Sequence, residues 1–199
     1  MVERGQTFTV EALLAAILII ATVGFALQAV AITANTASGG DTELRSQQAG
    51  LVGGVLDTAI SNGDLERTLL AWNTSEQQFH DADPEDGYFI ASPPNTSFGA
   101  ALDDALNESY IRYTINLRYQ TPEGETAVQP LVESGSPNDD GIRMTRTVTL
   151  YDDHTLVDEN ESSTSMTLEA VEEDFYAPNV APDGPVYNVL EVEVILWQG

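Results

Sequence analysis

Arg4-Gly5-Gln6-Thr7-Phe8-Thr9-Val10-Glu11 leads directly into an apolar run, Ala12 to Ile32, and this junction decides how the rest of the chain is read. The run holds 21 residues without a charge, and Thr22 and Gln28 are its only polar side chains. A helix of that length rises about 31 Å, close to the hydrocarbon thickness of a bilayer. A cleaved secretory signal has a shorter apolar core, about 7 to 15 residues, and a small-residue cleavage site. Ala34-Asn35-Thr36-Ala37 matches such a site poorly. The expectation is a leader over residues 1–7, a transmembrane helix over 8–34 and the lipid bilayer as a partner. An uncleaved single-pass anchor fits that pattern as well as a processed one does. Glu11 is the anomaly: a carboxylate costs about 2.5–3.5 kcal/mol if carried to the bilayer centre. It therefore calls for a partner.

Charge sets the orientation and the habitat. Arg4 precedes the apolar run, whereas Asp41 and Glu43 follow it. The positive-inside tendency then puts the N-terminus in the cytoplasm and residue 35 onward outside the cell membrane. The 199 residues carry 32 Asp plus Glu against seven Arg and no Lys, a net charge of −25. Residues 41–199 hold 30 of those acids and six Arg, so this part alone carries −24. Self-repulsion of that size opposes a compact state. Molar salt shortens the screening length to about 3 Å and removes most of the cost. The composition reads as that of an extreme halophile. An acidic disordered tail is excluded, because 42% of the residues are apolar and they are patterned. Nucleic acid is not an expected partner, since its binding needs clustered Lys and Arg. Without cysteine there is no disulfide, thiolate metal site or Cys nucleophile.

Beyond a small polar break at Asn35–Gly40, a helical stripe runs through Leu44, Leu51, Val52, Val55, Leu56, Ala59 and Ile60. Gly50, Gly53 and Gly54 weaken it by up to about 1 kcal/mol each. Asn62-Gly63 ends it, and Asp64 is placed to cap a short successor reaching Trp72. Residues 35–72 are thus expected as a helical stalk, and 73–199 as an extracellular α+β head. Within the head, 73–96 reads as a proline-bearing loop and Phe98–Asn107 as a short helix. Ile111, Tyr113, Ile115, Leu117 and Tyr119 alternate with polar residues, the mark of a half-buried strand. A weaker strand is expected near Ala127–Val132. Others are expected at Ile142–Tyr151, Thr155–Val157 and Thr164–Leu168, and the clearest at Tyr187–Trp197. The predicted fold class is α+β: a long N-terminal transmembrane helix, then a globular head with an antiparallel β-sheet packed on the upper helix.

Little in the chain points to catalysis. His80 and His154 are the only histidines, and both stand among acids in predicted loops. Asp81-Ala82-Asp83-Pro84-Glu85-Asp86-Gly87 has the acid density of a calcium loop, but Pro84 and the glycine placement break the EF-hand pattern. Glu191 and Glu193 share one strand face, read as solvated. No nucleophile elbow and no phosphate loop occurs. The expectation is no enzyme, no metal and no cofactor. Four Asn-x-Ser/Thr acceptors, at Asn73, Asn95, Asn107 and Asn160, mark candidate glycosylation sites on an outside domain.

The string from Arg4 and Gly5 to Glu11 resembles the signal of type IV pilins, and the N-terminal third looks like haloarchaeal pilin-like proteins. The whole chain is similar to a family of uncharacterised haloarchaeal membrane proteins, with Pro185-Val186-Tyr187-Asn188-Val189 matching its C-terminal strand. The resemblance implies a peptidase that cuts after Gly5, leaving Gln6 first. It implies that Glu11 pairs with the terminal amine of a neighbouring subunit and so sets assembly register. Here Glu11 would be the sixth mature residue, whereas the usual pilin spacing places it fifth. The implied role is a minor pilin or assembly factor whose apolar helix packs with other pilin-like subunits. A single-pass anchored binding or envelope domain outside any filament is the alternative.

Overall fold

The computed structural model describes residues 46–106, 111–138 and 141–198. The chain divides into two units, Met1–Gln47 and Gln48–Gly199, so almost everything described lies in the second. Helix α1 covers residues 46–62. Gly63, at φ +77°, turns the chain through left-handed space that glycine enters without steric cost. Helix α2, Asp64–Leu69, starts immediately after it. Gly63 itself is the N-cap; the Asp64 carboxylate, expected to cap, instead holds Arg67 one turn on.

Residues 72–90 carry three strands of two residues each. Strands β1 (Trp72–Asn73) and β2 (Gln78–Phe79) form a hairpin, and β3 (Phe89–Ile90) joins the main sheet. After helix α3 (Ser97–Leu106) come β4 (Ile111–Gln120), β5 (Thr126–Glu133) and β6 (Ile142–Tyr151). A second hairpin, β7 (Thr155–Val157) with β8 (Ser163–Thr167), leads into α4 (Leu168–Val171) and a 3-10 turn at Glu172–Asp174. Strand β9 (Val186–Gln198) completes the head.

The five-stranded sheet has the order β3-β5-β4-β9-β6. Period-2 alternation puts Tyr113, Ile115 and Leu117 of β4, and Leu190, Val192 and Val194 of β9, on one buried face. Against that face pack Val52, Leu56 and Ala59 of α1, Leu65 and Leu69 of α2, and Phe98, Leu102 and Leu106 of α3, all in one core. The opposite face has a small cover of its own. Segment 134–138 folds back so that Arg112 donates to the Ser134 carbonyl at 3.1 Å and Thr114 to Gly135 at 3.5 Å. With Gly141 lying close to Ile195, this explains why Ile195 and Trp197 are buried although they share a strand face with Glu191 and Glu193.

The fold class is corrected in two respects. Among the described residues no helix is long and apolar enough to cross a membrane, so the described fold is a sheet-rich mixed α/β head and not a long membrane helix with a head attached. The transmembrane helix expected over 8–34 lies outside the described residues. Nor is the sheet wholly antiparallel. Strand β3 lies parallel to β5, pairing Phe89 with Val132 and Ile90 with Glu133, because the chain returns to that edge only after α3 and β4. Pro130, which has no N–H to give, sits next to a register shift opposite Ile115 and Asn116. The pairing of β5 with β3 begins only beyond it, at Val132.

An aromatic cluster closes one end of the core. Trp72 meets Phe79 edge-on at 5.1 Å and Tyr176 at 5.2 Å, and Phe175 packs on Tyr176 at 4.2 Å. Each polar tip finds a carbonyl: Trp72 Nε1–H donates to Asp174 at 2.7 Å, Tyr176 to Leu69 at 3.1 Å and Tyr187 to Glu172 at 3.2 Å. Burial pushes the Tyr176 and Tyr187 phenols well above the ordinary range, so they remain donors. The fully buried Asn188 donates to the carbonyls of Gln120 at 3.0 Å and Pro178 at 2.8 Å, tying the chain just before β9 to the sheet.

Candidate functional site

Between α1 and α3 lies a groove of about 350 Å³, lined by Leu51, Gly54, Val55, Thr58, Ala59, Asp64, Ser97, Phe98 and Ala101. Its far wall is fixed by the start of α3. The Ser97 amide and hydroxyl both donate to Glu161 Oε2, at 2.9 and 2.7 Å. The Thr96 hydroxyl accepts from the Gly99 amide at 3.2 Å and from the Thr68 hydroxyl at 2.8 Å. These bonds satisfy helix-terminal amides that otherwise lack partners, and they lock α3 to α2. Gly99 is required there: a Cβ at this position would lie 1.8 Å from the Pro94 carbonyl oxygen.

The near wall, α1, is short of charge. Charged residues make up 20% of the chain, yet residues 46–62 contain only Asp57. Arg146 on β6 holds that carboxylate at 2.6 Å through Nε and at 3.2 Å through a second nitrogen, a two-point grip. The Arg146 hydrogen bonds and charge hold the Asp57 carboxyl below its ordinary value of 3.8. A lowered carboxyl contributes stability above that value and loses it as pH falls through the folded one. Asp57→Asn is therefore expected to lower the melting temperature slightly at pH 7, with the difference from wild type shrinking as pH falls below 3.8. A difference unchanged at acid pH would mean the ion pair is not its source.

Two further arginines, Arg118 and Arg143, serve the outer sheet face. Arg118 stands 3.6 Å from Glu191 and Arg143 3.1 Å from Glu193, across neighbouring strands. Glu191 and Glu193 are thus half of a cross-strand charge ladder, worth little each in water. His154 lies 3.6 Å from Glu66 and edge-on to Tyr151, beside an open recess of about 570 Å³ that Asp152, Asp153 and Pro185 also line. The candidate calcium loop is a set of turns: Gly87 donates to the Asp83 carbonyl, and the Asp83 carboxylate accepts from the Glu85 amide. Among the described residues no group of three or more His, Asp or Glu converges as metal ligands.

The glycosylation candidates differ in their surroundings. Asn73 is engaged by Glu76 and by the Ser75 and Glu76 amides. Asn95 donates to Asp81 at 3.2 Å. Asn160 is exposed on the turn between β7 and β8. Asn107, and Arg4, Gly5, Gln6 and Glu11, expected to act in processing and assembly, lie outside the described residues. The groove was missed by sequence reading because its two walls are some 45 residues apart; the dearth of charge in 46–62 was the available signal. No curated protein and no solved structure matches the chain. A family match does extend over residues 4–196, from Arg4 to Leu196 of β9, and the chain belongs to that family, DUF7288, whose function is unknown.

Proposed function

We propose that the protein is a structural, pilin-like subunit and not a catalyst: a minor component or assembly factor of a type IV pilus-like filament, held at the membrane through its apolar N-terminal segment, with the acidic head outside. The observation that carries this reading is the order of parts. The string from Arg4-Gly5 to Glu11 precedes an apolar run, and helix α1, further along the chain, has its Val52, Leu56 and Ala59 face built into the core of the head. A head so joined would follow wherever its N-terminal segment is assembled. The charge of −25 fits a salty exterior, where screening removes most of its self-repulsion.

Intact mass and N-terminal sequencing of the protein from its own host test the reading. A mature chain starting at Gln6, together with loss of assembly in Glu11→Ala, is the expected result. A chain that retains residues 1–5 and tolerates Glu11→Ala would instead favour a membrane-held binding module. The recess around Tyr151 and His154 is what recommends that second reading.

A further inference from the structure

We infer that the two recesses flanking His154 form one binding site for a neutral oligosaccharide, with the Tyr151 ring as its platform. This rests on the head alone. A filament subunit or a plain anchored domain could carry such a site, so it and the reading above fail separately.

The turn that builds the site is held from several sides. A register shift between Leu150 and Tyr151 bends the end of β6 and re-aims Tyr151. The Asp152 amide then donates to the Pro185 carbonyl at 3.1 Å, and the Asp152 carbonyl accepts from the Glu169 amide at 3.1 Å. The His154 amide donates to the Tyr151 carbonyl at 3.1 Å, and the His154 carbonyl accepts from the Leu168 amide at 2.9 Å. Asn179 donates to one oxygen of the Asp152 carboxylate at 3.0 Å. A ligand finds these groups already placed, which removes much of the ordering cost of binding.

The turn presents a ring and a set of hydrogen-bonding groups. Tyr151 is the one exposed aromatic side chain among the described residues. His154 meets it at 66°, steadying the ring without stacking over it. The buried Nδ1 of His154 is 3.6 Å from Glu66, too far to bond it, so Nε2 is the ring nitrogen left for a ligand. On the other side of His154 a recess of about 320 Å³ adds Glu66, Thr155 and Ser163.

Chemistry selects the ligand. Arg67, the arginine of the lining, is already held by Asp64, so an anion finds no free arginine to pair with. The recesses are too open and polar to enclose an apolar ligand. Among the described residues no three metal ligands converge. An organic cation would compete with the molar cations that the composition implies. Sugar hydroxyls both donate and accept, which suits carboxylates, hydroxyls and an imidazole together. The C–H faces of a sugar ring lie on an aromatic ring, and neither contact depends on long-range charge.

The full chain in molar salt, in a detergent without a sugar headgroup, is titrated with maltotriose, cellotriose and mannotriose and followed by saturation-transfer NMR. At least one is expected to bind in the millimolar range. Tyr151→Ala should weaken it about tenfold, and Tyr151→Phe, which keeps the ring, by less than about twofold. Asp153→Asn leaves a weaker acceptor and should cost about threefold. Melting temperatures should stay with the wild type, because both side chains are exposed. Spermidine and trigalacturonate serve as the cationic and anionic comparisons and are expected to bind less well. Binding of none of the three sugars, binding that survives Tyr151→Ala, or stronger binding of either charged compound overturns the inference. If the mature chain begins at Gln6 and Glu11→Ala blocks assembly while no sugar binds, the inference fails and the structural reading stands.

Discussion

Trp72→Ala is expected to cost about 3–5 kcal/mol, the range for removing a buried large aromatic. Trp72 is 4% exposed and supports three things at once. Its ring fills the space between Phe79, Phe175 and Tyr176. Its Nε1–H satisfies the Asp174 carbonyl at the 3-10 turn. Its backbone pairs with Phe79 in the first hairpin. Truncation leaves a cavity and removes the main donor to a carbonyl that Gln77 also reaches, at 3.0 Å. Trp72→Phe keeps most of the packing, and Gln77 still reaches the carbonyl, so it should lose about 0.5–1.5 kcal/mol, mainly the lost hydrogen bond. Denaturant unfolding at fixed salt, followed by far-UV circular dichroism, separates the two. If Trp72→Ala cost less than Trp72→Phe, the cluster would not be the anchor described.

Gly99→Ala should cost about 3 kcal/mol, although alanine is the better helix former. Its methyl would lie 1.8 Å from the Pro94 oxygen and 2.8 Å from the Pro94 carbonyl carbon, both backbone atoms that cannot rotate away. Helix α3 would have to move off residues 94–96, taking the Thr68–Thr96 hydrogen bond and the Glu161 cap with it. Gly54→Ala is the internal contrast. Nothing lies near its new methyl, and replacing a helical glycine gains up to about 1 kcal/mol. Opposite signs at 54 and 99 in the denaturation midpoint are the expected result. A loss at both would mean that propensity and packing are misassigned here.

The elements legible in the sequence are those with many repeats of one period. Nine alternating residues marked β4, and the Tyr187–Trp197 pattern marked β9; both pair as expected of half-buried strands. Helix α3 was placed to within a residue, Phe98–Asn107 expected against Ser97–Leu106 found. Two-residue strands have no period to read, so β1, β2 and β3 were hidden in what looked like a loop, and with β3 went the parallel edge of the sheet. Leu168 was expected to end a strand but begins α4, because the Thr167 hydroxyl caps the Ala170 amide. On α1 the expected stripe was too broad: Val52, Leu56 and Ala59 are buried, while Leu51 and Ile60 flank them in solvent. That flank is also why the groove escaped notice, since an exposed leucine acquires meaning only when α3 is brought alongside. The Pro185–Val189 string, noticed for its resemblance, has a physical content the sequence did not declare. Tyr187 and Asn188 are both fully buried, and their side chains bond to three separate backbone carbonyls.

The position of β9 in the sheet has a consequence for how the protein is made. It lies between β4 and β6, and its partners on β4 run from Arg118 with Glu191 to Ile111 with Gln198, separations of 73 to 87 residues. Until residues 186–198 have been synthesised, β4 and β6 have no common neighbour, and the helices have only part of a surface to cover. The head cannot mature stepwise from its N-terminal side during translation. It closes late, in one cooperative event limited by a long loop closure. During that interval both strands keep an open edge, and the like charge of neighbouring nascent chains then serves to hold them apart until each has found its own last strand.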